Sequence, residues 1–124
     1  MKFIKDASYT RSFIHEAVGG GSLQSYLPDR YGKVLCACLS PDMNANAPNV
    51  ILVGDHIGVL RCGKMLSKQK GAIPVFIKHG VNDWRYAGMY EVERSTVAGE
   101  VVSRHTVEAG RVIRMVIYMR EVQE

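Results

Sequence analysis

Cysteine is scarce in this chain: Cys36, Cys38 and Cys62 are the only three in 124 residues. An odd number of thiols in apolar neighbourhoods excludes a disulfide scaffold and suits buried free thiols in a reducing compartment. Apolar runs long enough to span a bilayer as a helix are missing as well. The opening Met-Lys-Phe-Ile-Lys-Asp holds no sustained apolar stretch, so no signal peptide is visible and a cytoplasmic protein is expected. A metal-dependent nuclease needs clustered carboxylates, usually with a lysine, yet the chain has no Asp…Glu-x-Lys arrangement and no HNH-type cluster. Gly19-Gly20-Gly21-Ser22 follows a predicted helix and lacks a Gly-Lys-Ser/Thr ending, which excludes a P-loop. Cys36-x-Cys38 lacks the two-to-four-residue gap of a zinc knuckle, nothing near these thiols is expected to lower their pKa, and no serine stands in a nucleophile elbow. No metal or cofactor is expected.

What remains is an ordinary globular composition, with 47% hydrophobic and 23% charged residues. It suffices for a core without covalent staples, in one domain over residues 1–124. A formal charge of +4 and a pI near 9.1 bias the surface mildly towards polyanions, far less than a histone-like tail would.

Periodicity sets out the elements. Residues 9–18 carry an apolar stripe (Phe13, Ile14, Ala17, Val18) behind Thr10 as N-cap, predicting a short helix with His15 at the surface. The glycines at 19–21 end it, and the turn chemistry of 26–32 suits a segment wrapping over a sheet edge. Apolar runs at 34–39, 50–53 and 73–78 predict buried strands, with 40–49 as a long polar turn. Gly54-Asp55-His56-Ile57-Gly58 leads into a helix over 58–69, with Val59, Cys62 and Leu66 on one face and Gly71 to close it. A strand at 84–94, a helix at 100–109 and a long strand at 111–122 follow, the last with Ile113, Met115, Ile117 and Met119 on one face. This order lacks the strict alternation of a doubly wound sheet. The expected class is α+β: a small mixed β-barrel with two or three short helices at its edges.

The densest feature is Trp84-Arg85-Tyr86-Ala87-Gly88-Met89-Tyr90, an aromatic ladder at strand spacing. In a regular strand Trp84, Tyr86, Tyr90 and Val92 share one face, and Gly88 leaves a gap open to a backbone or a flat ligand. Such a row is either core or the wall of a site; Tyr90 reads as core, while Trp84 and Tyr86 fit both. Lys78 and His79 end the preceding strand and Asn82 and Asp83 make the turn, so cation, polar groups and a large π-face gather at one hairpin end. Single-stranded or extruded bases are held by this combination, stacking contributing about 1–3 kcal/mol per base. His56, after Asp55 in a loop that opens a helix, is the histidine best placed for a functional role.

Read in order, the helix, Gly-Gly-Gly-Ser, Tyr-Leu-Pro, Val-Leu-Cys-Ala-Cys-Leu, Asn-Ala-Asn-Ala-Pro, Ile-Leu-Val-Gly, Ile-Pro-Val-Phe-Ile-Lys and Trp-Arg-Tyr-Ala-Gly-Met-Tyr-Glu-Val resemble a known succession. It is similar to the SRA-like (YDG-related) domains of the PUA-like superfamily, found in modification-dependent, McrA-type restriction endonucleases beside HNH nuclease modules. The resemblance covers roughly residues 9–122. It implies a PUA/SRA-like pseudo-barrel that binds DNA and holds a flipped, modified cytosine in an aromatic pocket, with 84–90 as the signature strand and 73–78 as its hairpin partner.

The expected function is a non-enzymatic nucleic-acid-binding domain that recognises a modified, flipped base in DNA, in a restriction or defence setting. The base-binding candidates are Trp84, Tyr86, Asp55, His56, Lys78, Asn82, Tyr26, Tyr31 and Asn44, drawn from loops and strand ends rather than from a family template. With no nuclease module in the chain, the domain is expected to read rather than cut. Its expected partners are DNA and a separate nuclease subunit, and no membrane. Two alternatives stay open: a protein-interaction module on the same barrel, or a small hydrolase of a nucleotide or modified base using Asp55, His56 or Glu91.

Overall fold

The computed structural model describes residues 3–20 and 25–123. In chain order its elements are β1 (Ser8–Tyr9), α1 (Arg11–Val18), β2 (Asp29–Arg30), β3 (Lys33–Val34), β4 (Ala37–Leu39), β5 (Val50–Gly54), α2 (Ile57–Ser67), β6 (Ile73–Gly80), β7 (Asp83–Thr96), α3 (Gly99–Ala109) and β8 (Ile113–Val122). The main sheet runs β4-β6-β7-β8-β5, with β1 added beside the start of β7, while β2 and β3 form a separate ribbon. Among the described residues only β4 and β6 pair in parallel; the other neighbours are antiparallel. The expected α+β class with three short helices is found. The sheet curls into a half-barrel that stays open, because β4 and β5 are its two edges and are joined by the 40–49 connection instead of by a ladder.

Each helix starts and stops for a local reason. Thr10 caps α1 by accepting from Phe13 N at 3.2 Å, Asn82 Oδ1 accepts from Arg11 N at 3.0 Å, and Gly19 ends the helix at φ 98°. His56 caps α2 through Nδ1, which accepts from Gly58 N at 3.3 Å, and the helix ends at Ser67, before the Gly71 expected to close it. Gly110, at φ 69°, closes α3. Of the glycine-rich 19–22, Gly21 and Ser22 lie outside the described residues.

The two sheet faces carry different cores. Ala37, Leu39, Ile51, Val53, Ile73, Val75, Tyr90, Met115, Ile117 and Met119 pack with Cys62 and Leu66 of α2. On the opposite face Phe3, Ile14, Cys36, Cys38, Phe76, Trp84 and Tyr86 gather under α1, and Leu52, Ile113 and Val116 under α3.

This division corrects the expected aromatic stripe. Val75 pairs with Gly88 but Phe76 with Tyr86, so Ala87 is an extra residue and β7 bulges. A slip of one residue exchanges the faces. Trp84 and Tyr86 therefore lie under α1, whereas Tyr90 and Val92 belong to the α2 core. Gly88 sits in the bulge at φ 132°, where a Cβ would lie 2.8 Å from Glu121 Oε2, and it lines a separate cavity with Lys5, Met89 and Glu121 instead of opening the aromatic face. A similar shift, with Gly54 opposite Ile113 and Val53 opposite Met115, turns Ile113 away from Met115 and Ile117 and onto α3. The single strand expected at 34–39 is split into β3 and β4. His15, expected at the surface, is buried and accepts from Arg11 Nε at 3.0 Å.

Candidate functional site

The bulge leaves Trp84 at the α1 end of the sheet, where α1, the 40–49 connection and the β5–α2 junction converge. They enclose a cavity of about 500 Å³ lined by Arg11, Tyr26, Cys38, Ser40, Met43, Asn44, Gly54, Asp55, His56, Val59, Trp84, Arg111 and Val112. That volume lies within the roughly 300–1,000 Å³ of small-molecule sites, and apolar walls with a few converging polar groups are their usual lining.

Trp84 is 8% exposed, and the Arg11 guanidinium lies 5.0 Å over its ring centroid. Arg11 is held in turn by His15 and by the Ser25 carbonyl, which accepts from Nη2 at 2.6 Å. A guanidinium fixed on an aromatic face presents a rigid cationic plane, the kind on which bases stack. Lys78 Nζ lies 5.9 Å from the same ring.

Tyr26 donates its hydroxyl to the Leu52 carbonyl at 3.3 Å. Burial pushes its pKa up, against the opposing pull of Arg111, so the phenol stays neutral. Asn44 is 2% exposed, and its Oδ1 accepts from Leu52 N at 2.8 Å on the free edge of β5. Asp55 and His56 stand exposed at the mouth. Arg111 reaches across to donate to the Met43 carbonyl at 2.8 Å, bracing the 40–49 connection. Cys38 faces the cavity and is hydrogen-bonded to Cys36. That bond and the nearby Arg11 guanidinium lower the Cys38 pKa, while the same bond and burial raise that of Cys36. The expectation that nothing lowers the pKa of either thiol is therefore corrected for Cys38, chiefly by its neighbour Cys36.

Five of the nine residues singled out from the sequence line this cavity: Trp84, Tyr26, Asn44, Asp55 and His56. The other four do not. Tyr86 is 1% exposed, packs in the α1 core with its ring 5.4 Å from Phe76 and 5.5 Å from Phe3, and edges a different cavity with Phe3 and Met89. Asn82 sits at the turn with φ 51°, its side chain committed to the α1 N-terminus. Lys78 lies beside Trp84 but outside the lining. Tyr31, 87% exposed, sits at the β2–β3 turn, also outside it. Glu91 is ion-paired to Arg120 at 2.8 Å and lines a different cavity, next to Tyr86 and Met89, which separates it from Asp55 and His56.

Arg11 and Arg111 are the cavity-lining cations that sequence reasoning missed. Arg11 is only the first residue after a helix cap and Arg111 only the residue after a glycine; neither spacing signals a site. Among the described residues, no three His, Cys, Asp or Glu side chains group as they would to hold a metal ion. No helix among them is long and apolar enough to cross a membrane.

Comparison with known proteins places the fold in a family. Residues 8–116 match the family described as a domain of unknown function (DUF6697). The chain belongs to that family. The match runs from β1 into β8 and so takes in every cavity residue. No curated protein and no solved structure matches the chain.

Proposed function

We propose that this DUF6697 chain is a non-enzymatic nucleic-acid-binding domain, SRA-like in its barrel, that holds one extruded, modified base of DNA in the cavity beside Trp84. The observation that carries this reading is the convergence of Trp84, Tyr26, Asn44, Asp55 and His56 on one cavity, with the Arg11–Trp84 stack as its wall. Arg11 offers a preorganised plane for the base, and Asp55 at the mouth accepts from an exocyclic amine. Met43, Val59 and Val112 give an added methyl group an apolar surface, and Arg111 attracts the phosphate. Acid–base catalysis is disfavoured because Glu91 stands at another cavity, while His56 spends Nδ1 on the α2 cap.

Trp84 is the only tryptophan, so its emission reports on this cavity alone. The test is a titration with oligonucleotides carrying plain, methylated or hydroxymethylated cytosine. A saturable change in Trp84 emission, strongest for a modified base, is expected. Asp55→Ala should weaken it about tenfold, as loss of a charged hydrogen bond does, with an unchanged melting temperature because Asp55 is exposed. Emission indifferent to every oligonucleotide refutes the reading.

A further inference from the structure

The positive charge of this protein is concentrated. From His56 to Asn82 there are five Lys or Arg residues and no carboxylate, so the whole net charge of +4 lies in this stretch and the remainder is nearly neutral. The stretch contains α2, whose N-terminus lines the cavity through His56 and Val59. On its solvent side Arg61, Lys64 and Lys68 are exposed. Asp29 is ion-paired to Arg61 at 3.1 Å. Gln69 fastens β3 to this helix by accepting from Val34 N at 2.9 Å and donating to Val34 O at 2.8 Å, which brings exposed Lys33 alongside.

The β2–β3 turn carries an independent sign. Arg30 pairs with Lys33, and the two residues between them, Tyr31 and Gly32, have φ 54° and 76°. Two positive φ values in a two-residue hairpin define a type I′ turn, whose favoured first residue is Asn, Asp or Gly. A bulky aromatic there is strained, and this one recovers nothing by burial, being 87% exposed. The Arg30 guanidinium, 4.7 Å over the ring and hydrogen-bonded to its hydroxyl at 3.0 Å, holds the ring in place. Strain retained at an exposed position points to function.

We infer that the β2–β3 turn and the outer face of α2 form a surface for single-stranded nucleic acid, a base stacking on Tyr31 and phosphates lying on Lys33, Lys64 and Lys68. An aromatic platform beside a row of cations is how sequence-tolerant strand binding is built. The inference rests on reading the protein as a nucleic-acid binder, but it uses no residue of the cavity.

The test measures fluorescence anisotropy of labelled 12-nucleotide oligothymidylate, oligouridylate and a duplex over a range of salt, with Trp84 emission followed separately on a modified-cytosine oligonucleotide. Single strands should bind more tightly than duplex. Tyr31→Asn should weaken single-strand binding about tenfold while raising the melting temperature, because Asn-Gly suits the turn. Lys64→Gln with Lys68→Gln should reduce the slope of log affinity against log salt by about 1.4. Unchanged affinity in Tyr31→Asn, or binding of duplex alone, overturns the surface. If Trp84 still responds in that case, the cavity reading stands without it. If Tyr31→Asn weakens binding while Trp84 never responds, the surface stands and the cavity reading falls. No binding of any oligonucleotide overturns both.

Discussion

Replacing Gly63 with alanine tests how closely α2 is seated on the sheet. Gly63 faces Val53 of β5, and a Cβ at position 63 would lie 2.6 Å from Val53 Cγ1, 2.8 Å from Cγ2 and 3.2 Å from Cβ. Carbon atoms pack at about 3.5–4.0 Å, so helix and strand must separate by roughly 1 Å. Val53 has no escape, since it is fully buried and its branched side chain is stiff at χ1. Overpacking of this kind costs about 1–3 kcal/mol, and three contacts put it at the upper end. Alanine gains about 1 kcal/mol over glycine in helix propensity, which leaves a net destabilisation of about 2 kcal/mol. For a chain of this size that is a fall of roughly 8 °C in melting temperature. Urea unfolding of Gly63→Ala, Val53→Ala and the double variant closes the cycle. Val53→Ala removes both γ carbons, so the two changes should compensate each other by about 2 kcal/mol. Additivity within about 0.5 kcal/mol, or a stabilised Gly63→Ala, refutes the described approach of α2 to β5.

Two further outcomes follow from the site's scaffold. Asn44→Ala leaves Leu52 N without its acceptor in a buried place, and chemical denaturation should show a loss of about 1–3 kcal/mol; an unchanged midpoint would mean that Asn44 does not hold the edge of β5. Asp29 has its pKa lowered chiefly by the Arg61 hydrogen bond, so its contribution is present above the ordinary carboxylate pKa and disappears as the pH falls through the depressed folded value. Asp29→Asn should therefore lower the melting temperature slightly at neutral pH and not at all in strong acid. Equal curves across the whole range would dissolve the pair as a contributor.

Much of the element order was legible because it rests on periodicity and caps. Thr10, the Val59/Cys62/Leu66 stripe and the Met115/Ile117/Met119 face all behave as their spacing implies. What misled was the assumption of an unbroken strand. The Ala87 bulge arises from how β6 pairs with β7, information that alternation within one strand does not contain. Of the site, the loop and strand-end residues Asp55, His56, Asn44 and Tyr26 were legible because glycine and polar clusters mark where strands end. Tyr86 was ambiguous for the opposite reason: a core and a base-binding wall use the same aromatic residues, and the seating of Phe3 and Phe76 around it puts it in the α1 core, away from the Trp84 cavity. Arg11 was invisible because its meaning comes from His15, Ser25 and Trp84, brought to it by folding.

The connection at 40–49 ties together the two free edges of an otherwise unclosed sheet, and it supplies Ser40, Met43 and Asn44 to the cavity. Its length is therefore a tether on how far the edges can spread. Residues added or removed there would rescale the span of the cavity while every strand keeps its register, since no ladder crosses the opening. Ligand size in this architecture can thus vary through one surface segment independently of the core, and a chain that keeps all its buried residues can still change what it holds.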